Sequence, residues 1–205
     1  RDSSDAPFSI QALGVKVPNG GEVWTMGDIE TITWGTHDSA VGADVRIGLH
    51  LGTEFLYWIN RQTANDGLYS WKPSTELAPG YGYRIRVQAY SDAGIKDLSD
   101  APFTLELPPL LWTYPDFHDE LLVNGTYSVT WECNDMPAVG PDVRIALHKG
   151  GAFVDWMIRK TDNDGAWAWT VPMGLTPAPS YRLRVQSYTN SSLRAMSPAF
   201  TIAAP

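Results

Sequence analysis

The sequence predicts an all-β protein built from two tandem β-sandwiches of the immunoglobulin or fibronectin type III kind. Short runs alternate apolar and polar residues, as in "DVRIGLH" (44–50) and "YRIRVQAY" (83–90), which is typical of strands with one buried face. Asp-Gly pairs separate apolar runs in "ANDGLYSW" and "DNDGAWAW", a signal of tight hairpin turns. No long helical period is present. About seven short strands per repeat favour a sandwich.

The chain contains nearly the same unit twice. The stretch "ADVRIGLHLGTEFLYWINRQTANDGLYSW" (43–71) returns 98 residues later as "PDVRIALHKGGAFVDWMIRKTDNDGAWAW" (141–169). The similarity continues from "YRIRVQAY" into "YRLRVQSY" (181–188). Repetition over this length indicates two copies of one structural unit. We therefore expect one sandwich over residues 11–107 and a second over residues 108–205.

The first ten residues belong to neither repeat. "SDAPFSI" (4–10) resembles "SDAPFTL" (99–105), the phrase with which the first copy closes. We expect residues 1–10 to be the closing strand of a preceding repeat in a longer multidomain protein. The alternative is an unrelated N-terminal edge strand, because the ends of repeat arrays are often atypical.

The composition excludes several classes of partner. The net charge is −8 and only 19% of the residues are charged, so neither nucleic acid nor an anionic membrane is expected as a partner. The single cysteine, Cys133, cannot form an internal disulfide, and no Cys/His cluster has the spacing of zinc ligands. No run approaches the roughly 20 apolar residues of a membrane span. We expect no metal, no cofactor and no membrane insertion of this fragment.

The tryptophans are expected to fill the two cores. Trp34 and Trp131 alternate with polar neighbours and are predicted to point inward. Trp58 and Trp156 follow an aliphatic residue on the same face of a strand and are also predicted to be core residues. The stripes that end at Trp71 and Trp169 are predicted to face inward, although outward-facing stripes of this kind serve as carbohydrate platforms.

A family resemblance rests on several phrases of the first repeat. "PNGGEVWTMGDIETITW" (18–34), together with "DVRIGLHLG", "NDGLYSW" and the closing "SDAPFTL", resembles the Ser-Thr-rich GPI-anchored membrane family. That family includes the N-terminal domain of fungal proteins of cell-wall β-glucan assembly, and similar repeats occur in bacterial secreted and surface proteins. The resemblance implies an extracellular Ig-like module. The second copy departs from the pattern, because Leu122 stands where the first has Trp24.

Outward-pointing polar residues supply the first group of candidate ligand-binding residues. Arg86 and Tyr90 recur as Arg184 and Tyr188 on strands that also carry a second arginine and a glutamine on the same face. If neighbouring strands carry Arg46 and its repeat, each copy presents planar donors beside an aromatic edge. The alternative is that these arginines pair with acidic residues across strands, which needs no ligand.

Aromatic residues where the copies meet supply the second group. Trp112 and Tyr114 stand where the first copy has Val15 and Val17, and Phe117 lies in an altered loop. These rings either pack the junction or line a glycan-binding cleft, since clefts between domains are frequent ligand sites.

The residues favour a non-catalytic module, and the family resemblance implies that it is an extracellular accessory module, secreted or attached to a cell surface. Its expected role is to bind or position something at a surface or cell wall, and a polysaccharide is the ligand class that aromatic rings and planar polar groups fit best. A structural spacer or adhesion repeat without a small ligand is the alternative. A polysaccharide-active enzyme is the remote one, because no catalytic constellation is recognisable.

Overall fold

The computed structural model describes residues 11–205, and nearly all of its regular structure is β-strand. The chain separates between Leu107 and Pro108 into two compact units. The expectation for residues 1–10 lies outside the described residues.

Over its described residues, 11–107, the first unit contains two sheets formed by nine strands. The strands are β1 (Leu13–Val17), β2 (Val23–Thr25), β3 (Glu30–Thr36), β4 (Asp44–Leu51), β5 (Glu54–Ala64), β6 (Leu68–Trp71), β7 (Gly80–Ala89), β8 (Lys96–Leu98) and β9 (Phe103–Glu106). The smaller sheet has the order β1-β3-β6, and the larger sheet has the order β2-β9-β7-β4-β5, with β8 also paired to β7. A 3-10 turn, Ser39–Val41, precedes β4.

The second unit repeats this topology strand for strand. Its strands are β10 (Leu110–Tyr114), β11 (Glu120–Leu122), β12 (Thr126–Cys133), β13 (Asp142–Lys149), β14 (Ala152–Asp162), β15 (Ala166–Thr170), β16 (Ala178–Ser187), β17 (Arg194–Met196) and β18 (Phe200–Ala203), with a helical turn α1 (Met136–Val139) before β13. The sheet orders are β10-β12-β15 and β11-β18-β16-β13-β14, with β17 on β16. The predicted fold class, two tandem all-β sandwiches, is confirmed.

The Asp-Gly turns connect the two sheets of each unit instead of closing hairpins. The strand before the first turn, β5, pairs only with β4 in the larger sheet, whereas β6 after it pairs with β3 in the smaller sheet. The hairpin prediction is therefore wrong. Gly67 and Gly165 at these turns have φ of 88° and 92°. A Cβ on Gly67 would lie 3.2 Å from the carbonyl oxygen of Trp34 in β3, and a Cβ on Gly165 would lie 3.1 Å from that of Trp131 in β12. Only glycine fits both constraints.

A buried tryptophan links the two sheets in each core. Trp34 and Trp131 are 3% and 2% exposed, as predicted from their alternation. Each indole Nε1 donates to the asparagine of the adjacent turn at 2.8 Å, Asn65 in the first unit and Asn163 in the second. Because β3 and β12 belong to the smaller sheets and the turns follow strands of the larger ones, this bond ties the two layers together.

The inward prediction for the aromatic stripes also holds. Trp71 and Trp169 are buried at 7% and 2% exposure, and the rings two residues before them pack against the same cores. The sequence alignment of Leu122 with Trp24 needs correction. Leu121 takes that place, because it pairs with Ile202 as Trp24 pairs with Leu105, and it is fully buried, whereas Leu122 is 41% exposed.

We predict that Asn163→Ala lowers the free energy of unfolding of the second unit by about 1–3 kcal/mol, because it leaves the buried Trp131 N–H without a partner. Urea denaturation followed by tryptophan fluorescence measures this loss. The exposed neighbour Asp164 is the matched control, and Asp164→Ala should change stability by about 0.5 kcal/mol or less. Equal effects of the two substitutions would contradict the assigned role of the asparagine.

Candidate functional site

The outward face of each larger sheet gathers the polar residues that the alternation selected. Val45, Ile47 and Leu49 of β4 are fully buried, so Arg46 and His50 lie on the opposite side of the strand. Register places Arg46 beside Gln88, Gly48 beside Arg86 and His50 beside Arg84. The second unit repeats these pairs: Arg144 with Gln186, Ala146 with Arg184 and His148 with Arg182.

Trp58 lies on this outward face, not in the core. Irregularities in the pairing of β5 with β4 reset the alternation, so that Trp58 stands opposite Gly48, while Leu56 and Ile59 pack against the core. A Cβ on Gly48 would be 3.4 Å from the Trp58 ring, which shows how closely the indole covers this position. Trp156 stands opposite the small Ala146 in the same way. The prediction that both tryptophans are core residues is wrong.

Arginine side chains stack on each of these tryptophans. In the first unit the guanidinium carbons of Arg46 and Arg86 lie 4.9 and 4.6 Å from the centre of the Trp58 ring, and Arg86 also lies 5.0 Å from Phe55. In the second unit Arg144 and Arg184 lie 4.6 and 5.4 Å from the Trp156 ring. Such cation–π contacts stabilise by about 0.5–2 kcal/mol each. We call these groups the Arg–Trp clusters: Arg46, Arg86, Trp58 and Phe55, and Arg144, Arg184, Trp156 and Phe153.

Within residues 11–205 these arginines form no salt bridge with an acidic residue. The one salt bridge of this range joins Lys160 Nζ and Asp142 at 3.1 Å, so the cross-strand acid pairing considered from the sequence is wrong for the described residues. Gln88, with its amide oxygen turned toward Arg46, accepts from Nη2 at 2.7 Å. Arg84 and Arg182 serve the fold instead, because they donate to the carbonyls of Ser99 at 2.8 Å and of Ser197 at 3.0 Å.

The clusters carry concentrated positive charge beside neutral imidazoles. Burial lowers the pKa of His50 and His148 below the ordinary value, and the neighbouring Arg86 and Arg184 lower it further. Burial also lowers the pKa of Arg86, with Arg46 adding to the effect. The pKa of an arginine is high enough for it to remain charged. The positive charge of this face therefore belongs to the guanidinium groups, while the imidazoles are neutral at neutral pH.

Each unit has a shallow pocket at the edge of its Arg–Trp cluster. The pocket of the first unit has a volume of about 260 Å³ and the other about 250 Å³. Tyr90 and Tyr188, which are 48% and 46% exposed, form one wall of each. The first pocket is lined by Arg46, Trp58, Arg61, Gln62 and Tyr90, and the second by Arg144, Trp156, Arg159, Lys160 and Tyr188.

The two pockets use five equivalent positions, and four of the five keep the same residue type. The exception is Gln62, which is replaced by Lys160 in the second pocket. Gln62 Nε2 donates to Asp44 at 3.0 Å, whereas Lys160 forms a salt bridge with Asp142. Exposed positions outside the pocket differ more: Tyr57 of β5 corresponds to Asp155. We call these five-residue sites the strand-edge pockets.

The structure separates the two groups of predicted ligand-binding residues. Tyr90 and Tyr188 line the strand-edge pockets, and Arg86 and Arg184 belong to the adjoining clusters. Trp112, by contrast, is only 7% exposed, packs in the core of the second unit, and donates from Nε1 to the Pro115 carbonyl at 3.1 Å. A ring in this position has no open face for a sugar.

The other two aromatics of that group differ in exposure. Tyr114 is half-buried against the same core, and Phe117 is 65% exposed with its ring against His118. Sequence reasoning left out the remaining pocket residues, notably Trp58, Arg61 and their repeats. The sequence did contain a signal for Trp58 and Trp156. Gly48 and Ala146 are small residues at outward positions, which indicates that a large side chain covers them.

Two further searches concern the described residues. In residues 11–205 no helix is long and apolar enough to cross a membrane. Over the same residues, no group of three or more His, Cys, Asp or Glu side chains is placed to hold a metal ion.

Comparison with known families gives one match. Residues 17–104 match the model of the Kre9/KNH-like N-terminal Ig-like domain, which is named after a fungal cell-wall β-glucan assembly family. For this part of the chain the resemblance inferred from the sequence to that family is confirmed. No curated protein matches the chain.

Several solved structures are similar over most of the chain at low identity. The fibronectin(III)-like modules of Clostridium thermocellum CbhA share 14% identity, covering 94% of this chain and 92% of that one, with a TM-score of 0.33. The insect immune protein hemolin shares 12% sequence identity, covering 92% of this chain and 45% of the hemolin chain, with a TM-score of 0.36. Bacteroides ovatus SGBP-B, solved in complex with a mixed-linkage heptasaccharide, shares 12% sequence identity. The match covers 93% of this chain and 45% of the SGBP-B chain, with a TM-score of 0.28. TM-scores below 0.5 do not establish a shared fold, so the fold assignment depends on the strand pairing.

We predict that His50 and His148 make folding sensitive to mild acid. Because their pKa values are lowered in the folded chain, the unfolded chain takes up these protons at higher pH. Their contribution is fully present above the ordinary value of 6.5 and is lost as the pH falls from there toward the lowered folded pKa. The variant His50→Gln/His148→Gln should lose less stability than the parent between about pH 7.5 and about pH 5.

Urea denaturation at several pH values measures this difference. The matched control replaces the exposed His37 and His118 by glutamine and should keep the slope of the parent. A double variant with the parent's slope would show that the buried imidazoles do not couple folding to pH.

Proposed function

We propose that this chain is a non-catalytic, extracellular binding module of a larger protein, and that each sandwich binds a polysaccharide at its strand-edge pocket. The observation that carries the proposal is the repetition of the pocket, in which Arg, Trp, Arg and Tyr recur at equivalent exposed or half-buried positions. The fold of each unit requires none of these residue types on its solvent face.

The chemistry of the pocket suits a sugar ring. Tyr90 and Tyr188 are exposed for about half of their surface, and an aromatic face packs against the C–H face of a pyranose. Arg46 and Arg61 line the same pocket, and their planar donor forks can bond two oxygens of one ring at once. A pocket this shallow and open fits a site on an extended polymer better than one that encloses a whole small molecule.

The family similarity supports the same class of ligand and the same location. The matched model belongs to a fungal cell-wall β-glucan assembly family, which is consistent with a role at a cell wall or outside the cell. Immunoglobulin-like and fibronectin-like domains are typically non-catalytic. Because the chain carries two copies of the site, both could bind the same polymer molecule. Simultaneous occupation of the two sites raises the apparent affinity.

We predict that Tyr90→Ala/Tyr188→Ala weakens binding to any polysaccharide that the parent binds. Loss of an aromatic contact of about 1 kcal/mol per site corresponds to about a fivefold lower affinity at each. Affinity electrophoresis in gels containing plant, algal and fungal polysaccharides identifies a ligand, and titration calorimetry then gives its Kd.

The control is Tyr81→Ala, because Tyr81 is 67% exposed on β7, the strand that Tyr90 follows, but does not line the pocket. Circular dichroism confirms that the variants remain folded. Unchanged binding in the double variant would remove the strand-edge pockets from the site. Failure of the parent to bind any polysaccharide would favour the structural spacer.

A further inference from the structure

We propose that the ligand of the strand-edge pockets is an acidic glycan, one whose sugars carry carboxylate or sulfate groups, and that the second unit holds it more tightly than the first. This inference rests on the proposed polysaccharide function and specifies its ligand. Its grounds are the distribution of charge in each unit and the lack of salt bridges to the arginines among the residues that the structure describes.

Positive charge in the second unit is confined to one sheet. Residues 108–205 contain seven Lys and Arg against nine Asp and Glu, so the unit as a whole is acidic. Nevertheless all seven basic residues lie on strands of the larger sheet, β13, β14, β16 and β17. The seven are Arg144, Lys149, Arg159, Lys160, Arg182, Arg184 and Arg194. The same sheet carries only four of the nine acidic residues, Glu120, Asp142, Asp155 and Asp162, so its strands have a net positive charge in a unit that is acidic as a whole. Such a sheet attracts anions locally, not over the whole surface of the unit.

The arginines at this face are close to one another, and none of them forms a salt bridge with an acidic residue in the described range 11–205. Burial first, and then Arg194 and Arg144, lower the pKa of Arg184, as expected for like charges held together. The Nε atoms of Arg144 and Arg184 are buried without a hydrogen-bond partner in the part of the chain that the structure describes, and so is that of Arg86. Stacking on tryptophan offsets part of the cost of this arrangement, but it leaves the charge uncompensated.

An anionic group on the ligand supplies the missing compensation. Hydrogen bonds from guanidinium to a carboxylate or sulfate are charge-assisted and about twice as strong as neutral ones. Arginine presents two parallel donors to such a group, whereas lysine acts as a point charge. A neutral sugar would bond the same donors without relieving the repulsion between them. The pocket residues Arg144 and Arg159 are therefore better matched to an acidic sugar than to a neutral one.

The two strand-edge pockets differ in charge at one of their five equivalent positions. Gln62 of the first pocket corresponds to Lys160 of the second. The second pocket thus has one more cation beside its arginines, which is why we expect it to be the stronger site.

The test compares one polymer with and without its charge. Polygalacturonate supplies the carboxylate and its fully methyl-esterified form is the neutral match, while a sulfated galactan and a neutral β-glucan complete the set. We expect the parent chain to bind polygalacturonate or the sulfated galactan at least about tenfold more tightly than the methyl ester, and to lose affinity as salt rises. Which acidic polymer binds better distinguishes carboxylate from sulfate.

Variants then locate the site. We expect Arg144→Gln/Arg159→Gln to weaken acidic-glycan binding more than Arg46→Gln/Arg61→Gln, and all four substitutions together to abolish it. The charge-matched control is Lys16→Gln/Lys72→Gln, which removes two exposed cations outside the larger sheet and should leave the affinity unchanged. Replacing Lys160 by Gln should bring the second site down to the affinity of the first.

The outcomes separate the two proposals. Equal affinity for polygalacturonate and its methyl ester, or binding to neutral β-glucan alone, would overturn the acidic-glycan inference and leave polysaccharide binding standing. Binding to none of the polymers would overturn both. Acidic-glycan binding that survives all four arginine substitutions, or that falls equally in the lysine control, would overturn the assignment to the pockets. The first comparison uses the parent chain, so it holds even if a variant does not fold.

Discussion

The hydrogen bond between a core tryptophan and the asparagine of an inter-sheet turn is the constraint on which each sandwich depends. The chain has one cysteine, Cys133, which is free, so no disulfide joins the layers. Trp34 and Trp131 fill the space between the sheets, and their indole N–H groups bond Asn65 and Asn163 at 2.8 Å. The same turn crosses from one sheet to the other, so packing, hydrogen bonding and chain reversal coincide at one place in each unit.

With the inner face secured in this way, the outer face of the larger sheet is left for other uses. The strict alternation of β4 and β13 puts apolar residues inward and Arg46 or Arg144 outward. Irregular pairing along β5 and β14 then brings Trp58 and Trp156 over the arginine rows. The clusters depend on both features, because alternation alone would have buried these tryptophans. The pockets form where the clusters meet Tyr90 and Tyr188 at the ends of β7 and β16.

The sequence predicted the parts of the fold that follow a simple period. The repeat, the two sandwiches and the inward positions of Trp34 and Trp131 all come from alternation and spacing. The placement of Trp58 does not follow from alternation. Apolar residues occupy both odd and even positions of β5, so a shift in its pairing with β4 decides which side chains face the core. The Asp-Gly turn was visible as a turn, but its neighbours belong to different sheets, and that depends on pairings distant in sequence. Trp112 is different, because it has the inward parity of the buried Leu110 and its burial follows simple alternation.

Binding at the strand-edge pockets is the central claim, and nuclear magnetic resonance tests it most directly. The chain would be labelled with nitrogen-15 and titrated with a short galacturonate oligomer while the side-chain N–H signals of tryptophan and arginine are followed. The account predicts shifts at the indoles of Trp58 and Trp156 and at the Nε–H groups of Arg46, Arg61, Arg144 and Arg159, with Trp34 and Trp131 unchanged. Shifts confined to the loop around Phe117, or to the smaller sheets, would contradict it.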